Sequence, residues 1–139
     1  MARLARKARR EPGWLSEDAV RAIHAEQLER FGGEAGLLHP AGLEAALARP
    51  RNRWLHDRGA DLADLAATYL VGLMHTHPFV DGNKRVGVAA ALVFLAVNHR
   101  PLHVPQVDLY SLAMGAATGG LKEAQAAAWL RRSLGPRRK

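Results

Sequence analysis

The stretch HTHPFVDGNKRVG, residues 75–87, joins two segments of helical period and places unlike polar groups in one short turn. Pro78 disfavours helical geometry at His77, so the helix before the turn is predicted to end there. A second helix begins near Lys84 and continues through VGVAAALVFLAVN, which is apolar on nearly every side. Such a helix is typical of the centre of a bundle. The stretch therefore predicts an all-α fold in which a polar loop precedes a buried central helix.

The rest of the chain also follows the helical period, and no segment alternates as a strand would. Ser16 is a good N-cap for the first helix, and Pro40 is suited to the first turn of the second. Pro50 is expected to end that second helix, so residues 51–59 are predicted to form an exposed loop. The predicted helices, six or so in number, lie near residues 16–31, 40–49, 61–76, 84–98, 106–118 and 121–133.

The net charge of +7 is unevenly distributed along the 139 residues. Residues 1–10 and 131–139 carry five cations each, whereas residues 11–130 hold ten Lys and Arg against all thirteen Asp and Glu. We therefore predict one domain over residues 13–132, between basic tails at 1–12 and 133–139. Such tails are usually solvated ends, so we do not expect direct nucleic-acid binding.

Several classes of protein are disfavoured by composition. The chain has no cysteine, which excludes disulfides, thiolate nucleophiles and cysteine-ligated zinc. The longest nearly uninterrupted apolar run, residues 86–97, is shorter than the roughly 20 residues of a membrane-spanning helix. The basic N-terminal residues are not followed by the apolar segment of a signal peptide. We therefore expect a cytoplasmic protein without a membrane partner.

The start of the second helix of the pair has the properties of a phosphate site. Its first amides have no intrahelical partner, and the positive end of the helix dipole favours an anion. At the same end, Lys84 adds an ammonium charge and Arg85 adds a planar guanidinium group that can bind two oxygens at once. Gly82 allows close approach of the backbone to a ligand, and Asn83 offers a side-chain donor.

The other polar residues of the turn complete a candidate catalytic site. Asp81 would be out of place beside phosphates unless a cation stood between them, so it is the predicted Mg²⁺ ligand. His77 is the residue type best suited to take a proton from an attacking hydroxyl. Phe79 is expected to anchor the turn in the core. The set fits group transfer from a nucleotide to a hydroxyl, which depends on positioning and charge stabilisation.

Other interpretations stay open at this point. Each polar residue of the turn, taken alone, is more often structural than functional. His75, His77 and Asp81 could instead hold zinc or iron, although His75 is expected to lie within the helix and His77 beyond it. A non-catalytic module could bind nucleic acid or another partner through the basic tails.

The run from His77 to Arg85, HPFVDGNKR, resembles the Fic-domain signature. The surrounding segments WLSEDAVRAIHAEQLERFGGEAGLL, LEAALARPRNRW and ALVFLAVN are more narrowly similar to the Doc (death-on-curing) branch, and the resemblance covers residues 13–132. It implies a Fic-type helical bundle that uses ATP and Mg²⁺. It also implies that His77 is the base, that Asp81 binds the metal, and that Asn83 and Arg85 hold phosphates.

Two departures from the Fic pattern point to phosphoryl transfer. Where many Fic proteins carry a second arginine, this chain has Val88, and Lys84 stands where adenylylating members have glycine, as in the Doc branch. The resemblance therefore implies a type II toxin that phosphorylates a hydroxyl of a translation factor, with elongation factor Tu the expected target. Adenylyl transfer (AMPylation) by the same site is the alternative.

The resemblance also implies two kinds of partner contact. No Ser or Thr is followed four residues later by Glu, the pattern with which some Fic proteins inhibit themselves, so a cognate antitoxin is expected to inhibit in trans. Residues 49–58 match the region where Fic proteins dock their targets, and its candidates are Arg51, Arg53 and Trp54. A plain connector is the alternative for this region. Trp14 and Trp129 are expected to pack between helices.

Overall fold

The computed structural model describes residues 9–103, 106–117 and 122–136, and these residues form an all-α fold. They contain no β-strand, only an isolated bridge between Leu37 and Phe79. The all-α class predicted from the sequence is thus confirmed, whereas most of the two basic tails lies outside the described residues. The six helices are α1 (Glu17–Phe31), α2 (Pro40–His56), α3 (Leu62–Thr76), α4 (Asn83–Val97), α5 (Gln106–Ala117) and α6 (Glu123–Leu134).

Side-chain caps fix where two of the helices begin. Ser16 accepts a hydrogen bond from the amide of Ala19 at 3.1 Å and caps α1, as its position in the sequence predicts. Asp61 accepts from the amide of Asp64 at 2.9 Å, and the Asp64 carboxylate accepts in return from the Asp61 amide at 3.0 Å. This reciprocal capping box fixes the first turn of α3.

The centre of the bundle is the pair α3 and α4. Every residue of α3 from Leu65 to Met74 is buried, and this helix packs against α2, α4 and α6. One face of α4 is buried against α3, and a Cβ added at Gly87 would lie 2.9 Å from the carbonyl oxygen of Leu70. The glycine therefore allows the two helices to approach closely. Another side of α4, including Val88, is only partly buried, because it faces a cleft.

The predicted loop at residues 51–59 is wrong, because α2 continues through Pro50 to His56. Proline inside a helix removes one backbone hydrogen bond and crowds the carbonyl four residues earlier, at a cost of about 3 kcal/mol. The buried ring of Pro50 and the contacts of the next helical turn offset this cost. Only residues 57–61 form the connection to α3.

The extra turns of α2 are held by charged groups on two other helices. The Arg53 guanidinium lies 3.0 Å from a carboxylate oxygen of Glu123 on α6 and 3.5 Å from one of Asp64 on α3. The Thr68 hydroxyl donates to the same Glu123 carboxylate at 3.1 Å. A second arginine, Arg49, also forms an ion pair with Glu123, at 2.8 Å. These contacts tie α2, α3 and α6 together.

The tryptophans pack against the core, as the sequence predicts for Trp14 and Trp129. The Trp14 ring lies 6.0 Å from that of Phe94 in a stacked arrangement and 6.3 Å from Trp54 in an edge contact. Among the helices in the described part of the chain, none is both long enough and apolar enough to cross a membrane.

Candidate functional site

A six-residue turn, His77–Gly82, connects the end of α3 to the start of α4. His77 adopts a left-handed conformation (φ 46°, ψ 56°) at the C-cap of α3, and its side chain is exposed. Pro78 and Phe79 are buried beneath the turn. Gly82, also left-handed (φ 83°), is the N-cap of α4. The anchoring position expected for Phe79 is therefore the one it occupies, with 3% of its surface exposed.

The side chain of Asn83 closes the turn. Its Oδ1 accepts from the Phe79 amide at 3.0 Å, and its Nδ2 donates to the Phe79 carbonyl at 2.9 Å. Both ends of the side-chain amide are thus used by the turn itself, although Nδ2 carries a second hydrogen. The sequence suggested a phosphate-binding role for Asn83, and the structure adds that this residue shapes the turn.

The connection between α1 and α2 runs alongside the turn. The Val80 amide donates to the Gly36 carbonyl at 3.0 Å, and the Pro78 carbonyl accepts from the Leu38 and His39 amides at 2.7 and 2.9 Å. Backbone pairing of this kind fixes the path of the turn independently of its side chains.

His24 on α1 is a contact residue of the turn that the sequence reasoning missed. Its ring stacks on Phe79 with 3.9 Å between ring centroids, and its Nε2 lies 2.9 Å from the Asp81 carbonyl oxygen. The available signal was the position of a histidine on the buried face of α1, four residues after Val20. A buried histidine on an amphipathic helix needs a polar partner, and here that partner is the turn.

Asp81 has an exposed carboxylate that is oriented by backbone amides. One oxygen accepts from the Gly82 amide at 2.8 Å, and the other accepts from the Glu34 amide at 3.3 Å. A Cβ added at Gly33 would lie 2.8 Å from the second oxygen. Each carboxylate oxygen keeps an acceptor site for a further partner, so Asp81 can still bind a cation.

The two cations at the start of α4 differ in their surroundings. Lys84 is exposed to solvent. Arg85 is half-buried, donates from Nη2 to the Gly32 carbonyl at 3.0 Å, and lies 5.5 Å from the ring centroid of Phe31. Its Nε is buried and has no hydrogen-bond partner among the described residues. No side chain caps the first turn of α4.

A cleft of about 870 Å³ opens beside the turn and runs along α4 between α1 and α5. One end is polar and the wall along α4 is apolar. The turn lines the polar end, whereas Val88 lies on the apolar wall. The lining residues are Gln27, Arg30, Phe31, His77, Val80, Asp81, Gly82, Asn83, Lys84, Arg85, Val88, Ala89, Leu92, Leu109 and Met114. The cleft thus brings together the predicted residues His77, Asp81, Gly82, Asn83, Lys84 and Arg85.

The candidate docking residues lie elsewhere. Arg51, Arg53 and Trp54 belong to α2, and Arg53 contacts Asp64 in the first turn of α3. His77 follows Asp64 by thirteen residues, a distance of roughly 20 Å along a helix. Arg53 and Trp54 already have partners within the chain. Target docking by the three residues stays a prediction.

The zinc or iron alternative lacks a ligand set. Among residues 9–103, 106–117 and 122–136, no three His, Asp or Glu side chains are grouped so that they could hold a metal ion. His75 lies within α3, whereas His77 and Asp81 follow it in the turn. A site with a single carboxylate suits a cation that takes its other ligands from phosphates and water, as Mg²⁺ does.

Comparison with known proteins agrees with this geometry. A model of the Fic/DOC family matches residues 14–95, which include the whole turn. The protein kinase Doc of Escherichia phage P1 is 35% identical over 121 residues, covering 87% of this chain and 95% of that protein. Toxin Doc of Mycolicibacterium smegmatis is 44% identical over 69 residues, covering 49% of this chain and 53% of that protein. The chain belongs to the Fic/DOC family.

Proposed function

We propose that the chain transfers the γ-phosphoryl group of ATP to a hydroxyl of a protein. The observation that carries the proposal is the polar end of the cleft, which is lined by His77 and by two cations at the uncapped start of α4. The similarity to a phage P1 protein named a protein kinase, which extends over 95% of that protein, supports the same reaction.

The start of α4 is the proposed phosphate site. Its first amides, Lys84 and Arg85 supply donors and positive charge at one point of the cleft. The buried Nε of Arg85 has no hydrogen-bond partner in the described part of the chain, so a phosphate oxygen reached by a small rotation of that side chain would satisfy it. These features fit an anion with several negative charges.

Asp81 is the proposed ligand of Mg²⁺ bound with the nucleotide. Its carboxylate is exposed and accepts hydrogen bonds from two backbone amides, so uncharged donors orient it. When bound, Mg²⁺ would neutralise charge on the phosphate oxygens.

His77 is the proposed general base. The acceptor hydroxyl loses its proton to the imidazole as its oxygen forms a bond to the γ-phosphorus. The bond between that phosphorus and the β–γ bridging oxygen breaks, and ADP leaves with the electron pair. The imidazolium then releases its proton to solvent, which restores the neutral base.

The charge distribution favours attack at the γ-phosphorus. Positive charge is concentrated at Lys84 and Arg85, whereas Val88, Ala89 and Leu92 give the cleft an apolar wall along α4. Adenylyl transfer would extend the β- and γ-phosphates along this wall, whose α4 residues Val88, Ala89 and Leu92 carry no charge; the remaining cation among the described lining residues, Arg30, lies on α1. The terminal phosphates therefore fit better at the start of α4.

We further propose that the chain is a toxin of a type II toxin–antitoxin pair, since one of its two Doc relatives is named a toxin. In this proposal it acts in the cytoplasm on a translation factor, with elongation factor Tu as the expected target. A cognate antitoxin inhibits it in trans by packing near residues 77–85.

The test is mass spectrometry of purified elongation factor Tu after incubation with the chain, ATP and Mg²⁺. An added phosphate on a hydroxyl, with release of ADP, is the expected result. An added AMP would replace the proposal with adenylylation. The His77→Ala variant serves as the control and should yield unmodified target.

A non-catalytic module that binds nucleic acid or another partner through the basic tails is the competing class of function. Growth arrest that survives His77→Ala but disappears when residues 1–10 and 131–139 are removed would favour it. We expect the reverse, because the polar residues that line the cleft among the described residues lie in the turn and on the adjoining helices α1 and α4.

A further inference from the structure

A buried histidine outside the signature contacts the turn at two points. His24 is 6% exposed, its ring stacks on Phe79 at 3.9 Å, and its Nε2 lies 2.9 Å from the carbonyl oxygen of Asp81. Because a carbonyl oxygen can only accept, Nε2 carries the hydrogen and donates it. The contact therefore fixes both the tautomer of His24 and the direction of the Asp81 carbonyl.

The peptide unit between Asp81 and Gly82 is held at both of its polar atoms. His24 binds its carbonyl oxygen, and the Asp81 carboxylate accepts from its N–H at 2.8 Å. Gly82 has a left-handed backbone (φ 83°) and, without a Cβ, restrains this unit less than any other residue would. External contacts must supply the restraint that the glycine lacks.

We propose that His24 is a positioning residue for the proposed phosphotransfer site. Through its Nε2–H it fixes the Asp81–Gly82 peptide, and with it the direction of the Asp81 carboxylate and of the first amides of α4. This inference rests on the proposed function, since it assigns His24 a role in binding the nucleotide with Mg²⁺.

The competing explanation is that the imidazole simply fills space beneath Phe79. Stacking and a neutral hydrogen bond contribute similar amounts, so removing the whole ring would not separate the two. Gln and Met have side chains of nearly the same length and similar helix propensity, but only Gln carries a donor. Comparing His24→Gln with His24→Met therefore isolates the hydrogen bond, because both variants lose the ring.

The two explanations predict opposite orders for these variants. If only burial matters, His24→Met should be the better variant, because burying a thioether costs less than burying an amide. If the donor positions the peptide, His24→Gln should be better. Calorimetric titration of the full chain with MgATP should then show binding about fivefold tighter for His24→Gln than for His24→Met. Equal affinities, or tighter binding by His24→Met, would overturn the proposal.

A second measurement separates this inference from the proposed function. Amide hydrogen exchange followed by NMR measures the exchange rate of the Gly82 N–H without nucleotide. This rate should be about fivefold faster in His24→Met than in His24→Gln. If the wild-type chain binds no MgATP, the proposed function fails and the exchange rates alone decide the role of His24. Equal exchange rates in the two variants would overturn the inference.

Discussion

His77 combines an unusual backbone with an exposed imidazole. A left-handed conformation costs a residue with a Cβ about 1–2 kcal/mol, and Asn tolerates it better than most. At this position the chain leaves α3 and enters the turn, so the backbone strain and the proposed chemistry coincide in one residue. A substitution that tests the general base should therefore leave the backbone conformation of the turn unchanged.

His77→Asn meets that condition, because Asn adopts the left-handed region and has no group that titrates near neutrality. Transfer to the target should fall by about 10²-fold or more, the usual contribution of a general base, while the melting temperature stays close to that of the wild type. His77→Ala should lose activity equally and also lose some stability. Mass spectrometry and thermal denaturation measure the two effects, and an active, folded His77→Asn chain would remove His77 as the base.

Asp81→Asn tests the metal site while retaining much of the local structure. The amide oxygen can still accept from the Gly82 or Glu34 amide, but the negative charge is lost. We expect Mg²⁺ to increase ATP affinity in the wild type and to have little effect in the variant. Calorimetry with and without Mg²⁺ checks this, and the titration without Mg²⁺ is the internal control. An unchanged magnesium dependence would count against the ligand role.

The sequence predicted the polar residues of the turn but not how each one is held there. His77, Asp81, Lys84 and Arg85 could be singled out because local spacing and helix-end chemistry act over a few residues. His24 lies 57 positions before its partner Asp81, and no local pattern reports a contact at that separation. Such contacts depend on which helices pack together, which is a property of the whole fold.

At the scale of the helices, the predicted helix ends are correct where a capping or helix-breaking residue sets the end, and they are wrong where tertiary contacts set it. The first helix begins after Ser16, and α3 ends before Pro78, as local rules predict. Pro50 does not, because Arg53 binds Glu123 and Asp64 only when α2 continues past the proline. These partners lie on α3 and α6, so the local sequence of α2 does not reveal them.

The close packing of α3 and α4 depends on Gly87. A Cβ at this position would lie 2.9 Å from the Leu70 carbonyl oxygen and 3.2 Å from the Met74 side chain, and the backbone atom cannot move without shifting α3. Gly87→Ala should therefore destabilise the fold by about 1–3 kcal/mol, as overpacking does, despite the better helix propensity of alanine. Urea denaturation measures the loss.

Gly72 on α3 provides the matched control. It is also a buried helical glycine, but a Cβ there would meet its nearest neighbours at 3.4 Å or more, an ordinary contact distance. Gly72→Ala should be neutral or stabilise the fold by about 0.5–1 kcal/mol. If both variants lost the same stability, tight packing at Gly87 would not be the cause.

In the molecule as a whole, the two ends of α3 have different surroundings. The C-terminal end opens into the turn and the cleft, while the N-terminal end is bound by arginines from α2 and α6. Some of the acidic residues that give residues 11–130 their mild negative charge thus form ion pairs between helices. Composition revealed the balance of charge, but only the fold shows which helices it connects.

The ion pair between Asp61 and Arg131 makes the stability of the fold at acidic pH depend on the N-terminal end of α3. Burial alone would raise the pKa of Asp61, but hydrogen bonds from Arg131 and Asp64 outweigh it and lower the pKa to about 2, from an ordinary value of 3.8. The folded state therefore binds a proton less readily than the unfolded state. The resulting stabilisation is complete above pH 4 and is lost as the pH falls from about 4 to 2.

Asp61→Asn should remove this contribution while keeping an acceptor at the N-cap of α3. Because the Arg131 and Asp61 side chains are 47% and 49% exposed, solvent screening keeps the effect small. At pH 6 we expect a melting temperature roughly 1–4 °C below that of the wild type, and the difference should close between pH 4 and pH 2. Glu44→Gln is the control: Glu44 is an exposed carboxylate without an ion pair in the described part of the chain. The melting temperature of Glu44→Gln should stay close to that of the wild type at both pH values. If the melting temperature of Asp61→Asn were still below that of the wild type at pH 2, the charge of Asp61 would not be what joins α3 to α6.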